Sequence, residues 1–188
     1  MLSLEWLAAG LGLGGVVLSL RENIWVWPLF IASSAIYLGI YLGVDLIGQA
    51  LLMLVFILTS AWGWRNWNRS NETSVETHPL RPTWLAQRER VLWSLGAFVL
   101  ALVLVMSFSV LAHHPNPWLD AAITSVSLIA MILMGLKRID CWFAWLLANA
   151  ASVVLFVQQA LWPTAVLYLI QFGLAFWGLH TWARRQAF

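Results

Sequence analysis

Trp62-Gly63-Trp64-Arg65-Asn66-Trp67 returns near the other end of the chain as Trp177-Gly178-Leu179-His180-Thr181-Trp182. Each copy of this Trp-Gly-x-x-x-Trp unit closes an apolar run, and the copies stand 115 positions apart (62 to 177). The same ungapped shift over 24–67 pairs Ile24 with Ile139, Trp27 with Trp142, Ala35 with Ala150 and Leu46 with Leu161. It also pairs Ala50 with Ala165, Leu52 with Leu167 and Leu54 with Leu169. Leucine and alanine matches are common in apolar sequence; a tryptophan followed by glycine, with a second tryptophan five positions after the first, is not. The two segments therefore read as one helical unit used twice.

Outward from these segments the chain stays apolar. Its 188 residues are 62% hydrophobic and 10% charged, with mean hydropathy +0.81. Soluble domains carry about 25% charged residues, so the composition is that of an integral membrane protein. The single cysteine, Cys141, allows no intrachain disulfide. A net charge of +2 gives no sign of a nucleic-acid partner. Seven stretches could span a hydrocarbon core of ~30 Å: 4–20, 24–43, 46–64, 91–112, 120–136, 141–161 and 164–182. Residues 1–20 lack a basic start and carry Glu5, so they read as a helix and not as a signal peptide.

Seven spans gather every basic residue on one side: Arg21, Arg65, Arg69, Arg81, Arg88, Arg90, Lys137, Arg138, Arg184 and Arg185. The other side holds Asp45, His113-His114-Pro115-Asn116-Pro117 and Trp162-Pro163, with no positive charge. The positive-inside rule then predicts an outer N-terminus and a cytoplasmic C-terminus. The expected architecture is an all-α membrane domain over 1–188 in a 3+1+3 arrangement. A first three-helix repeat (1–67) is followed by a cytoplasmic loop (68–90), a linking helix (91–112) and a second repeat (120–185). Repeats separated by an even number of spans run in parallel, an arrangement that transporters use with substrate between the halves.

The chemistry-bearing residues fall on helix faces. In Cys141-Trp142-Phe143-Ala144-Trp145-Leu146-Leu147-Ala148-Asn149, the W-x-x-W-x-x-x-N spacing puts two indoles and an amide on one face. Ser152, Phe156 and Gln159 continue a stripe about 100° wide. Two flat π-faces beside an amide suit a planar, cationic ring with hydroxyls nearby. The second span has its own stripe of Trp27, Phe30, Ser34, Tyr37 and Tyr41; Gln49, Thr124, Ser127, Tyr168 and Gln171 are the remaining candidate contacts. Each has a plainer reading. Trp25, Trp27, Trp142 and Trp162 stand near span ends, where indoles anchor at the interface. Ser and Thr in membrane helices usually bond to their own backbone or to a neighbouring helix.

No span carries a charge near its centre, so no proton relay or sodium site is legible. Scattered histidines and one cysteine assemble no metal or catalytic cluster, and no phosphate-binding G-x-x-x-x-G-K-[ST] loop couples ATP. These features favour passive transport without cofactors, and not an enzyme.

Residues 23–67, Asp120 through Ser127 and the Trp142-x-x-Trp145-x-x-x-Asn149 motif resemble the PnuC family of bacterial vitamin transporters. The resemblance covers most of the chain. It implies a 3+1+3 fold in the bacterial inner membrane, usually trimeric, that passes nicotinamide riboside down its gradient for trapping by a cytoplasmic kinase. It also implies that Trp142, Trp145 and Asn149 line the site. This chain has Gln49 and Met53 where the family's third helix carries an acidic residue and a glutamine, and Met131 at a position otherwise polar. Fewer groups are then left to bond a ribose, and the flat-ring vitamins thiamine and riboflavin are the alternatives. In a purely structural membrane subunit, the aromatic stripes would serve packing alone.

Overall fold

Seven helices form among the described residues: α1 (Leu2–Leu20), α2 (Val26–Leu42), α3 (Ile47–Glu72), α4 (Gln87–Leu111), α5 (Pro117–Gly135), α6 (Cys141–Gln158) and α7 (Trp162–Gln186). The computed structural model describes residues 2–43, 47–72, 81–111, 117–158 and 162–186. Asp45, His78, His113, His114 and Gln159 lie outside them. Among the described residues α1, α4, α5, α6 and α7 are long and apolar enough to cross a membrane, and α2 is an apolar helix of 17 residues. The chain is an all-α, multi-pass membrane protein.

The helices gather into two compact units, Met1–Arg81 with α1 to α3 and Pro82–Phe188 with α4 to α7. In the first, α2 packs on both α1 and α3; in the second, α6 packs on both α5 and α7, and α4 lies on α5. Element starts in the two units differ by the shift seen in the sequence: Leu2 and Pro117, Val26 and Cys141, Ile47 and Trp162.

The tight turns obey the same shift. After α1, Glu22 takes a left-handed φ of 54°; after α5, Lys137 takes 52°. Asn23 N–H donates to the Leu18 carbonyl (3.1 Å) and Glu22 N–H to that of Ser19 (3.1 Å). In the second unit Arg138 N–H donates to Leu133 (2.8 Å) and Lys137 N–H to Met134 (3.0 Å). These paired bonds form the Schellman closure of a helix, which usually places glycine at the left-handed position. Glutamate and lysine stand there instead, at a cost of about 1–2 kcal/mol. The reward is a five-residue turn that returns the next helix against the last.

Helix ends depart from the spans read in the sequence, because hydropathy bounds the apolar core and not the helix. Loop 68–90 is shorter than expected: α3 runs on to Glu72 through polar residues that include neither Pro nor Gly. The linking helix begins at Gln87, not at 91, because Glu89 Oε2 accepts the Ala86 N–H (2.8 Å), the reach-back half of a capping box. Pro117 opens α5 three residues before 120, where a missing N–H costs nothing. At the other end α7 continues to Gln186.

Candidate functional site

Helix α6 has two faces. Phe143, Leu147, Val154 and Val157 are exposed, whereas Trp142, Asn149 and Ser152 are buried and Trp145 and Phe156 are half-buried. The stripe read from the W-x-x-W-x-x-x-N spacing therefore turns inward, as a costly amide at bilayer depth requires. Asn149 is 4% exposed. The Trp145 Nε1–H is buried without a hydrogen-bond partner. Ser152 donates to the Ala148 carbonyl in its own helix (2.9 Å), the ordinary bond of a membrane serine.

Trp142 does something the spacing did not reveal. Its ring lies on Gly178 of α7, where any Cβ would fall inside the indole's contact radius. Trp182, one turn further, meets it edge-to-face at 5.4 Å and 88°. The first unit repeats the device: Trp27 lies on Gly63 of α3 and meets Trp67 at 5.2 Å and 88°. Trp27, Trp142 and Trp182 are essentially inaccessible. The Trp-Gly-x-x-x-Trp motif is thus the receiving half of a helix–helix lock: the glycine makes the notch, the second tryptophan the wall. Trp27 and Trp142 are not interfacial anchors. Trp25 and Trp162, at 63% and 62% exposure, have the exposure that role needs.

The remaining sequence candidates are spread over both units. In the second, Thr124 and Ser127 on α5 are half-buried, as are Tyr168 and Gln171 on α7. Tyr168 stacks on Phe156 of α6 (5.2 Å, 12°), so the lower part of the stripe joins α6 to α7. In the first unit Ser34 is buried and Tyr37 and Gln49 are half-buried; Tyr37 stacks on Tyr41 (5.9 Å, 18°). Its neighbour Ser33, not singled out in the sequence, donates to the Ala8 carbonyl across α1 and α2 (2.8 Å).

Sequence reasoning missed a polar clasp at the start of α6. Asp140 accepts from Arg90 Nε (2.7 Å) through Oδ1 and from the Leu85 N–H (2.8 Å) through Oδ2. Thr83 and Arg138 form a β-bridge, with Thr83 N–H donating to the Lys137 carbonyl (3.1 Å) and Ile139 N–H to that of Thr83 (3.0 Å). Arg138 also donates to Thr83 Oγ1 (2.9 Å), and Arg90 sits over the Trp84 ring (5.8 Å). The segment before α4 is fastened to the α5–α6 turn, and α4 itself lies on α5, both within the second unit. A cleft of about 590 Å³ opens beside the clasp, between α4 and the outer face of α6, and no residue of the Trp145–Asn149 stripe lines it. Among the described residues no group of His, Cys, Asp or Glu could hold a metal ion.

The inward stripe, the duplicated lock and the seven-helix order are now joined by comparison with known proteins. Residues 2–184 match the family model described as nicotinamide mononucleotide transporter. The chain belongs to that family. Proteins with similar sequence include the riboflavin/roseoflavin transporter RibM of Streptomyces davaonensis, 26% identical over 94% of this chain and 82% of that protein. The nicotinamide riboside transporter PnuC of Escherichia coli is also 26% identical, over 76% of this chain and 69% of its own length. A crystal structure of the vitamin B3 transporter PnuC covers 96% of this chain and 80% of its own, with a TM-score of 0.76 at 21% identity, so the fold is shared. The chain is a multi-pass membrane transporter of this family, and the family is not one of enzymes.

Proposed function

We propose that this transporter imports a flat-ring vitamin by facilitated diffusion, with nicotinamide riboside as substrate and phosphorylation in the cytoplasm as the trap. The observation that carries the reading is the inward pair Trp145 and Asn149, an unpartnered buried N–H and a buried amide one helical turn apart. An indole face beside a pyridinium is worth about 2 kcal/mol once water is excluded. The family membership and the relatives' names support the substrate class. The lack of central charges in the spans supports uncoupled movement. Ser152, Thr124, Ser127, Tyr168 and Gln171 extend the surface in the second unit; in the first, Ser34 and Tyr37 stand at the places of Asn149 and Ser152, and Gln49 adds an amide. Trp142 and Trp27 act by holding the helices that carry these residues. An outer N-terminus, a cytoplasmic C-terminus and a homotrimer complete the reading; a C-terminal reporter and the mass in detergent test them.

Titrating purified protein with nicotinamide riboside, thiamine and riboflavin is the decisive experiment. Asn149→Ala and Trp145→Ala are expected to weaken binding roughly five- to 150-fold, since a hydrogen bond to a desolvated polar group contributes about 1–3 kcal/mol. Unchanged affinity in both, with intact assembly, would leave the stripe a packing surface. Riboflavin is the second reading. It is favoured by the relative RibM, whose match spans 94% of the chain, and by the methionines at 53 and 131.

A further inference from the structure

The second unit's cleft has the layout of an amphiphile and not of a vitamin. Small side chains make the space, Ala97 and Ala101 on α4 and Ala122 on α5, and Phe98, Phe143 and Leu147 flank it. Its charged groups sit at one end, where Arg90 and Asp140 pair, with Ser94 one helical turn on from Arg90. Ser125 on its wall spends its hydroxyl on the Ala122 carbonyl of its own helix (2.9 Å). A ribose would find little to bond there. Among α1, α4, α5, α6 and α7, α4 is the most exposed, with only 6% of its apolar window buried, so the cleft lies against a helix open to what surrounds the protein. Within a bilayer an apolar recess of about 590 Å³ takes hydrocarbon in preference to water.

The end that closes it is basic. Arg90 lines that end beside Asp140, and Lys137 and Arg138 lie in the adjoining α5–α6 turn, where Arg138 pairs with Glu89 (3.5 Å). Arg90, although paired through Nε, is 47% exposed, so its guanidinium is not enclosed by protein. The order is therefore positive charge at the membrane surface, half-buried Trp93 next, then hydrocarbon walls. A phospholipid with an anionic headgroup has the complementary order.

We propose that this cleft is a binding site for one anionic phospholipid, its phosphate on the Arg90 side and an acyl chain along α4, α5 and α6. The lipid fills the gap that α4 leaves on α6 and completes the packing of the linking helix. Its headgroup meets the same surface that the Asp140 clasp holds together.

The experiment is native mass spectrometry of the protein released from mixed micelles holding equal phosphatidylglycerol and phosphatidylcholine. Wild type is expected to retain one phosphatidylglycerol per chain, enriched roughly five-fold over phosphatidylcholine, as about one basic contact provides. Ala101→Trp fills the cleft and is expected to remove the bound lipid while vitamin binding is kept. Ala97→Leu, a milder filling that suits a membrane helix, gives the same readout if the tryptophan variant does not assemble. Arg90→Gln is expected to keep a bound lipid and lose the preference for phosphatidylglycerol. Equal lipid retention in wild type and both filled variants overturns the site. A change in the number of associated chains without a change in lipid also overturns it, and makes the cleft an interface between copies.

Discussion

The two turns that follow α1 and α5 are built alike and used differently. Both close a Schellman motif on a non-glycine residue, and both deliver a buried tryptophan, Trp27 or Trp142, five residues later. Beyond that the units part. Asp140 gathers the Arg90 guanidinium and the Leu85 N–H; at the matching place in the first unit stands Trp25, exposed to 63%. Among the described residues the β-bridge also belongs to the second turn alone. What the units share is packing within a three-helix group, while what distinguishes them is where the linking helix is tied. The lock belongs to the repeat and the clasp to the linker.

That division can be broken most sharply at the tryptophans. Trp27→Ala and Trp142→Ala are each expected to cost about 3–5 kcal/mol in denaturant unfolding in detergent, as large aromatic truncations do. A silent substitution in either unit would show that the two locks are not equivalent. Filling the notch is the next largest effect. Gly63→Ala and Gly178→Ala set a methyl against an indole ring and should each cost about 1–3 kcal/mol, with Trp27 or Trp142 fluorescence shifted by a displaced ring.

Smaller effects test the asymmetry. Asp140→Asn keeps the shape and removes the charge; with Arg90 half-exposed, a loss of about 1 kcal/mol is expected, together with faster proteolysis between α3 and α4. Trp25→Ala, its counterpart, should stay within about 0.5 kcal/mol of wild type. Equal losses at 140 and 25 would erase the distinction between the turns.

Much of this was legible in the letters. Apolar length gave the helices, and Trp-Gly-x-x-x-Trp tied α3 to α7. The match of α1 to α5 was not legible, because Leu2–Leu20 and Pro117–Gly135 share little beyond Leu4 with Leu119, Leu13 with Leu128, Leu18 with Leu133 and an acid at 5 and 120. Any two apolar helices could share that much. The stripe of α6 was readable because burial follows a helix face, and Asn149 could not have faced lipid. Trp142's place in the lock was not read: spacing gives a face, whereas the partner on that face was a glycine 36 residues away (142 to 178). The clasp was hidden for a similar reason. Asp140 looks like any helix-end carboxylate until the chain folds and brings Arg90 and Leu85 to it across 50 and 55 positions.

The edge-to-face indole pairs have an optical consequence. Two chromophores in contact at a fixed angle exchange excitation, so Trp27 with Trp67 and Trp142 with Trp182 should each contribute a coupled signal to the ultraviolet circular dichroism. Loosening α3 from α2, or α7 from α6, would quench one of them and leave the other. Each three-helix unit thus carries its own gauge of whether it stays closed while the transporter works, readable without a dye.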